Sequence, residues 1–170
     1  FICAIKVMSL PRSETDMNQL INAGIVSSYE EATNFFAKAI QDELDLMKKF
    51  NGSPNILNFF EFTQEVSEDQ TSAKYYLRME YAEDIKSYFL KNGVSKKDVV
   101  KLAIDICTAL ELISNNNVTH NDIKPANIFI DNYGNFKLGD FGIASDIGSN
   151  KLVTFGTLNY VSPEVYNKKS

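Results

Sequence analysis

No stretch of the 170 residues approaches the ~20 consecutive apolar positions that a membrane-spanning helix requires. Residues 1–10 also lack the basic start and small-residue cleavage site of a secretory signal. Cysteine is scarce. Cys3 and Cys107 are the only two, too few for a disulfide framework or a zinc site, and each sits in an apolar pattern that predicts core filler. Positive charge is not in excess either: a net charge of −5 and a pI near 4.9 argue against nucleic acid as a partner. The one cluster of lysines, Lys91, Lys96, Lys97 and Lys101, reads as the solvated start of a helix. No repeat or low-complexity segment is present. These absences predict a soluble, cytoplasmic chain with no membrane contact in this segment, an anchor elsewhere in a longer parent staying open. With 44% hydrophobic residues the chain is long enough for one domain or two small lobes.

The pattern along the chain gives the elements. Phe1–Met8 alternates as a strand, with Ala4 and Lys6 on one face and Cys3, Ile5 and Val7 on the other. Residues 9–27 are polar, carry Pro11 and Gly24, and read as a long insertion with one short helical turn. A helix is expected from Ser28, where Ser28-Tyr29-Glu30-Glu31 resembles a capping box, to Phe50, before the Asn51-Gly52-Ser53-Pro54 stop. Strands are expected at 56–63 and 74–80, forming a hairpin that pairs with the first strand. A second long helix starts at Ser95 with Asp98 three residues on, and ends at the Asn115-Asn116-Asn117 run. Two short strands then flank a turn at Gly134. Strands with one helix come first and mostly helix afterwards, which suggests two lobes joined near residues 80–86.

One position in the first helix is out of place. Its apolar stripe runs Phe36, Ile40, position 43, Met47 and Phe50, and position 43 is a glutamate. A carboxylate buried there alone would cost roughly 3–5 kcal/mol, so it needs a cation, and the mid-strand Lys6 is the natural one. The alternative is a glutamate at the helix edge that reaches water. Further on, Asp122 stands two residues before Lys124 and five before Asn127, and Asp140 follows eighteen residues after Asp122 at the end of the hairpin. Two carboxylates and an amide oxygen suit a hard divalent cation such as Mg2+. Lysines beside it suit phosphate oxygens. Together with Lys6 and Glu43, the set reads as a site for a Mg2+-nucleotide and phosphoryl transfer.

The chain resembles a eukaryotic-type (Hanks-type) Ser/Thr protein kinase. The resemblance rests on "AIK" at 4–6, Glu43 ahead of "SPNIL", "MEY" at 79–81, "HNDIKPAN" at 120–127, "DFG" at 140–142 and "GTLNYVSPE" at 156–164. Its texture is most similar to bacterial members. The resemblance implies an α+β, two-lobed fold in truncated form: a partial N-lobe over 1–80 and a partial C-lobe over 81–170 holding hinge, catalytic loop and activation segment. It implies ATP and Mg2+ as cofactors and a protein with a Ser or Thr acceptor as partner. By the same resemblance Lys6, oriented by Glu43, holds the α and β phosphates, while Asp140 binds Mg2+ and Asn127 the second metal. Asp122 accepts the substrate hydroxyl proton and Lys124 steadies the transferred group. The backbone of Glu80 and Ala82 meets the adenine edge with Met79 behind it, and Ala4 completes the nucleotide-binding set. Thr157 braces Asp122 and Lys124. His120 packs inside the lobe and holds the loop, and Tyr160 and the phenylalanines are expected in the core.

Four departures from the family pattern stand out. No G-x-G occurs anywhere to cover the phosphates, and the chain ends soon after "SPE", so the arginine partner of Glu164 is missing. Asn121 stands where most members carry an arginine that pairs with a phosphorylated activation segment, so activity is expected not to depend on phosphate at that contact. Ser145, Ser149 and Thr154 are candidate phosphosites. "YAEDIKSYF" lacks the usual glycine pair after the hinge. The main rival reading is a pseudokinase or nucleotide-binding interaction module without turnover; the joint presence of Lys6, Glu43, Asp122, Asn127 and Asp140 weighs against it. A small-molecule phosphotransferase would not need "GTLNYVSPE".

Overall fold

Lys6 lies in β1 (Cys3–Leu10), whose alternation turns Met8 and Leu10 into the core and leaves Ile5 and Val7 in solvent. This and the rest of the fold come from a computed structural model that describes residues 2–11, 13–68, 72–142 and 144–146, together with Tyr160 and Pro163. β1 pairs antiparallel with β3 (Ala73–Glu80), which pairs on its other side with β2 (Phe59–Val66), giving the order β1-β3-β2. The expected hairpin and its pairing with the first strand are present, but β2 starts three residues later than its pattern suggested. Residues 55–57 are drawn away by another element: Leu57 N–H donates to the Leu138 carbonyl and Leu138 N–H to that of Asn55.

Between β1 and β2 the chain forms two helices. The insertion holds more than a single turn: α1 (Glu14–Asn22) is capped by Ser13 and buries Met17 and Leu20 against Ala32. α2 (Tyr29–Lys49) starts where Ser28 Oγ accepts from Glu31 N–H, but the reciprocal half of the capping box is displaced. Glu31 accepts instead from the backbone and hydroxyl of Ser27. Ile40, Leu44, Met47 and the following Phe50 enter the main core beside Leu77 of β3.

After the two-residue strand β4 (Glu83–Asp84), the chain forms a helix that the pattern did not disclose, α3 (Ile85–Asn92), with Asp84 accepting from Ser87 N–H. Lys91 lies in the last turn of this helix and pairs with Glu83, so it is not part of the solvated start of the next one. α4 (Lys96–Asn115) carries the full reciprocal box between Ser95 and Asp98. Cys107 on α4 is exposed and Cys3 only half-buried, so neither is core filler; Cys107 lies off the face that Ile106, Ala109 and Ile113 bury. The chain continues through β5 (Val118–Thr119), a 3₁₀ turn (Pro125–Asn127), β6 (Ile128–Ile130) and β7 (Phe136–Leu138), with β4-β6-β7 as a second sheet. β8 (Ser145–Asp146) pairs with β5. Tyr160 is 54% exposed and Phe60 42%, so these two aromatics are not core. Thr157, Glu164, Ser149, Thr154 and all of "GTLNYVSPE" except Tyr160 and Pro163 lie outside the described residues. No helix among the described residues is long and apolar enough to cross a membrane.

Candidate active site

The β1 lysine and the α2 glutamate meet. Lys6 Nζ lies 2.5 Å from Glu43 Oε1 and 2.9 Å from Asp140 Oδ1. Glu43 is 4% exposed, so the stripe position is filled by a buried carboxylate facing a cation, not by one reaching water. Burial alone would lower the Lys6 pKa, but the charges of Glu43 and Asp140 and their hydrogen bonds outweigh it and hold the amine above its ordinary value. Lys6 is therefore a fixed cation at neutral pH. Gly142 borders this corner: a Cβ there would make ordinary contact, 3.4 Å from Asp140 Oδ1 and 3.5 Å from Glu43 Oε2.

Asp140 follows β7 in a left-handed backbone conformation, φ 62°, which aims its carboxylate back toward β1. Two contacts fix this turn from the other side. Gly139 N–H donates to the Asn127 carbonyl, and the Gly139 carbonyl is 3.1 Å from His120 Nε2. His120 is 1% exposed and packs against Phe141 in a tilted arrangement, 5.0 Å between ring centroids. Its Nδ1 accepts from Asp122 N–H, which assigns the proton to Nε2, and burial pushes its pKa below the ordinary value despite the Gly139 carbonyl. The only histidine thus ties the loop before Asp122 to the loop before Asp140.

Asn127, buried in the 3₁₀ turn, donates from Nδ2 to both the backbone carbonyl (2.8 Å) and Oδ2 (2.9 Å) of Asp122. Lys124 Nζ is 2.7 Å from the same Oδ2. One oxygen of Asp122 is therefore held by an amide and an ammonium. With its nitrogen committed to Asp122, Asn127 keeps its side-chain oxygen as a lone-pair ligand. That oxygen and the Asp140 carboxylate are hard ligands of the kind Mg2+ takes while keeping several waters, so the residues present fit the ion. No larger cluster of His, Cys, Asp and Glu occurs among the described residues.

Six of the residues singled out in the sequence, Ala4, Lys6, Glu43, Met79, Asn127 and Asp140, line one cleft of about 210 Å³. Asp122 and Lys124 stand just behind Asn127, outside that lining. Glu80 and Ala82 are also outside it, and the Glu80 side chain turns away toward Asn58 and Lys137. The pattern did not single out the apolar walls Leu57, Ala126 and Phe129 or the close-packed Gly139. A Cβ at Gly139, just after β7, would lie 2.5 Å from Leu57 Cδ1 and 3.1 Å from Phe129 Cε2, so a larger residue there would have to displace the Leu57 side chain. Phe129 had a visible signal: it is the middle residue of Ile128-Phe129-Ile130 and so faces opposite to its two buried neighbours.

The chain is also similar to known proteins. The sequence model of the protein kinase domain matches residues 5–170. The serine/threonine-protein kinase PrkC of Bacillus subtilis is 35% identical over 118 residues, covering 65% of this chain and 17% of that protein. Aurora/IPL1-related protein kinase 2 of Caenorhabditis elegans is 31% identical over 154 residues, 88% of this chain and 45% of that protein. The serine/threonine-protein kinase cds1 of Schizosaccharomyces pombe is 32% identical over 152 residues, 86% and 31% respectively. The chain spans less than half the length of each of these relatives, which include bacterial and eukaryotic proteins. With a kinase-domain match over nearly its whole length, and with Asn127 of "DIKPAN" and Asp140 of "DFG" lining one cleft with Lys6, the chain belongs to the protein kinase domain family and has its α+β fold.

Proposed function

We propose that the protein containing this chain transfers the γ-phosphoryl group of ATP to Ser or Thr hydroxyls of protein substrates. The observation that carries the reading is the Lys6 amine held between Glu43 and Asp140 on the wall of a cleft that also takes Asn127. A fixed cation there can neutralise phosphate oxygens, and Glu43 keeps it from swinging into solvent. Asp140 and Asn127 would hold Mg2+. When bound, the ion supplies charge neutralisation on the phosphate oxygens. Asp122, oriented through Asn127 and Lys124, would accept the proton of the acceptor hydroxyl, and Lys124 beside it would offset negative charge on the group in transfer. Ala4 and Met79 would enclose the adenine, with the backbone of Glu80 and Ala82 at its polar edge.

The test is transfer of labelled phosphate from Mg2+-ATP to a generic protein substrate by the full-length protein. Turnover by the wild type, a loss of about a hundredfold or more in Asp122→Asn and retained nucleotide binding in that variant are expected. Equal labelling by Asp122→Asn would remove Asp122 from its role. Nucleotide binding without labelling of any protein by the wild type would favour an interaction module.

A further inference from the structure

Lys137 is 5% exposed, and the chemistry proposed above does not use it. It sits in the middle of β7, three residues before Asp140, and its Nζ lies 2.8 Å from Glu80 Oε1 and 3.0 Å from Oε2. Asp131 Oδ2 is 3.8 Å away on the other side. The Glu80 carboxylate is gripped a second time: Asn58 donates to Oε2 from its backbone N–H (3.1 Å) and from Nδ2 (2.6 Å). Glu80 N–H returns a bond to the Asn58 carbonyl at 2.9 Å. Asn58 is itself fixed, since its Oδ1 accepts from Gly52 N–H.

These bonds close a triangle. The segment before β2 is sewn to β7 by the Leu57–Leu138 and Asn55–Leu138 bonds, and to the end of β3 by Asn58 and Glu80. Lys137 and Glu80 supply the third side, from β7 back to β3. The end of β3 leads into residues 80–82, and β7 leads into Asp140. A displacement of either strand end would therefore have to break a buried ion pair as well as backbone bonds.

We propose that Lys137 and Asn58 are positioning residues for the nucleotide. By holding the Glu80 carboxylate from two sides, they set the backbone of residues 80–82 at a fixed distance from Lys6 and Asp140. The inference rests on the nucleotide reading of the cleft and names the side chains that hold its adenine edge in register with its phosphate end. Lys137 is suited to this task because its long stem spans the gap between the two sheets while its three N–H groups engage both Glu80 oxygens. Neutralising one partner alone would leave the other charge buried.

The test measures nucleotide affinity and kcat separately in the full-length protein for Lys137→Met, Lys137→Arg and the double variant Lys137→Met/Glu80→Leu. Affinity is read with a fluorescent ADP analogue without Mg2+, so that the metal ligands do not contribute, at a temperature where circular dichroism shows each variant folded. Lys137→Met is expected to weaken binding roughly tenfold or more and to raise the KM for ATP in step, with a smaller change in kcat. Lys137→Arg should recover part of the affinity. If Lys137→Met does not fold, the double variant decides, because it removes both charges of the Lys137–Glu80 pair and leaves Asp131 with its Asn135 and Tyr133 hydrogen bonds; its stability should recover in part while its affinity stays low. Wild-type affinity in a folded Lys137→Met or in the double variant overturns the inference and leaves the cluster as a contributor to stability alone. Failure of the wild type to bind nucleotide would instead overturn the reading of the cleft.

Discussion

Replacing Lys6 by methionine would leave the Glu43 carboxylate, 4% exposed, without the cation that faces it. Lys6→Met is expected to lower stability in urea unfolding by about 3 kcal/mol, and Lys6→Met/Glu43→Gln to regain most of it, because the buried charge is then gone. No recovery in the double variant would mean that the pair is not energetically coupled. His120 gives a second test. Its folded pKa lies below 6.5, so stability from the neutral ring is fully present above about pH 6.5 and is lost as pH falls toward the folded value, where the unfolded chain takes up a proton first. Asp140 and Asp122 oppose this shift and Lys124 favours it. Since this is the only histidine, the slope of unfolding free energy just below pH 6.5 should flatten in His120→Gln. An unchanged slope would contradict the neutral, Nε2-protonated assignment. At this scale the sequence was informative where a residue broke its surroundings: a glutamate in an apolar stripe and a lysine inside a strand announce each other. Lys137 and Glu80 broke nothing visible, because a polar residue in a three-residue strand and one at a strand end look solvent-facing until a third segment covers them.

Among the elements, the two long helices were legible from period and caps, and the two short ones were not. α1 buries only Met17 and Leu20, too few positions to establish a period, and lies between Pro11 and Gly24. α3 had both of its stop and start signals in plain sight, Asp84 as cap and Gly93 with φ 73° after its end, but buries only Ile85 along its own length. The α4 cap is expected to matter to stability: Ser95→Ala removes the acceptor for Asp98 N–H and should cost about 1 kcal/mol by thermal or urea unfolding. An unchanged midpoint would mean that this helix start frays in the native protein. The late start of β2 has a tertiary cause. Residues 55–57 could have continued the strand, but β7 competes for their backbone groups and wins, and this also builds one wall of the cleft from Leu57.

Across the molecule, the cleft is the place where the β1-β3-β2 sheet, α2 and the β6–β7 hairpin meet; β1 brings Lys6 to it, α2 Glu43, and the residues flanking the hairpin Asn127 and Asp140. Such a convergence cannot be read from spacing, since Lys6 and Asp140 are 134 positions apart. The chemistry of the residue types suggested grouping them, and the resemblance gave each its expected role. Asn121, in a left-handed conformation with φ 65°, is a comfortable residue for that backbone and carries no charge for a phosphate. Phosphatase treatment of the full-length protein is therefore expected to leave its activity within about tenfold, and a larger loss restored by rephosphorylation would contradict this. The most direct test of a shared pocket for nucleotide and metal is calorimetric titration of ADP with and without Mg2+, in the wild type and in Asp140→Asn. Mg2+ should tighten binding to the wild type and have little effect on the variant. Equal tightening in both, or no binding to the folded wild type, would show that Lys6 and Asp140 do not serve one nucleotide and its ion.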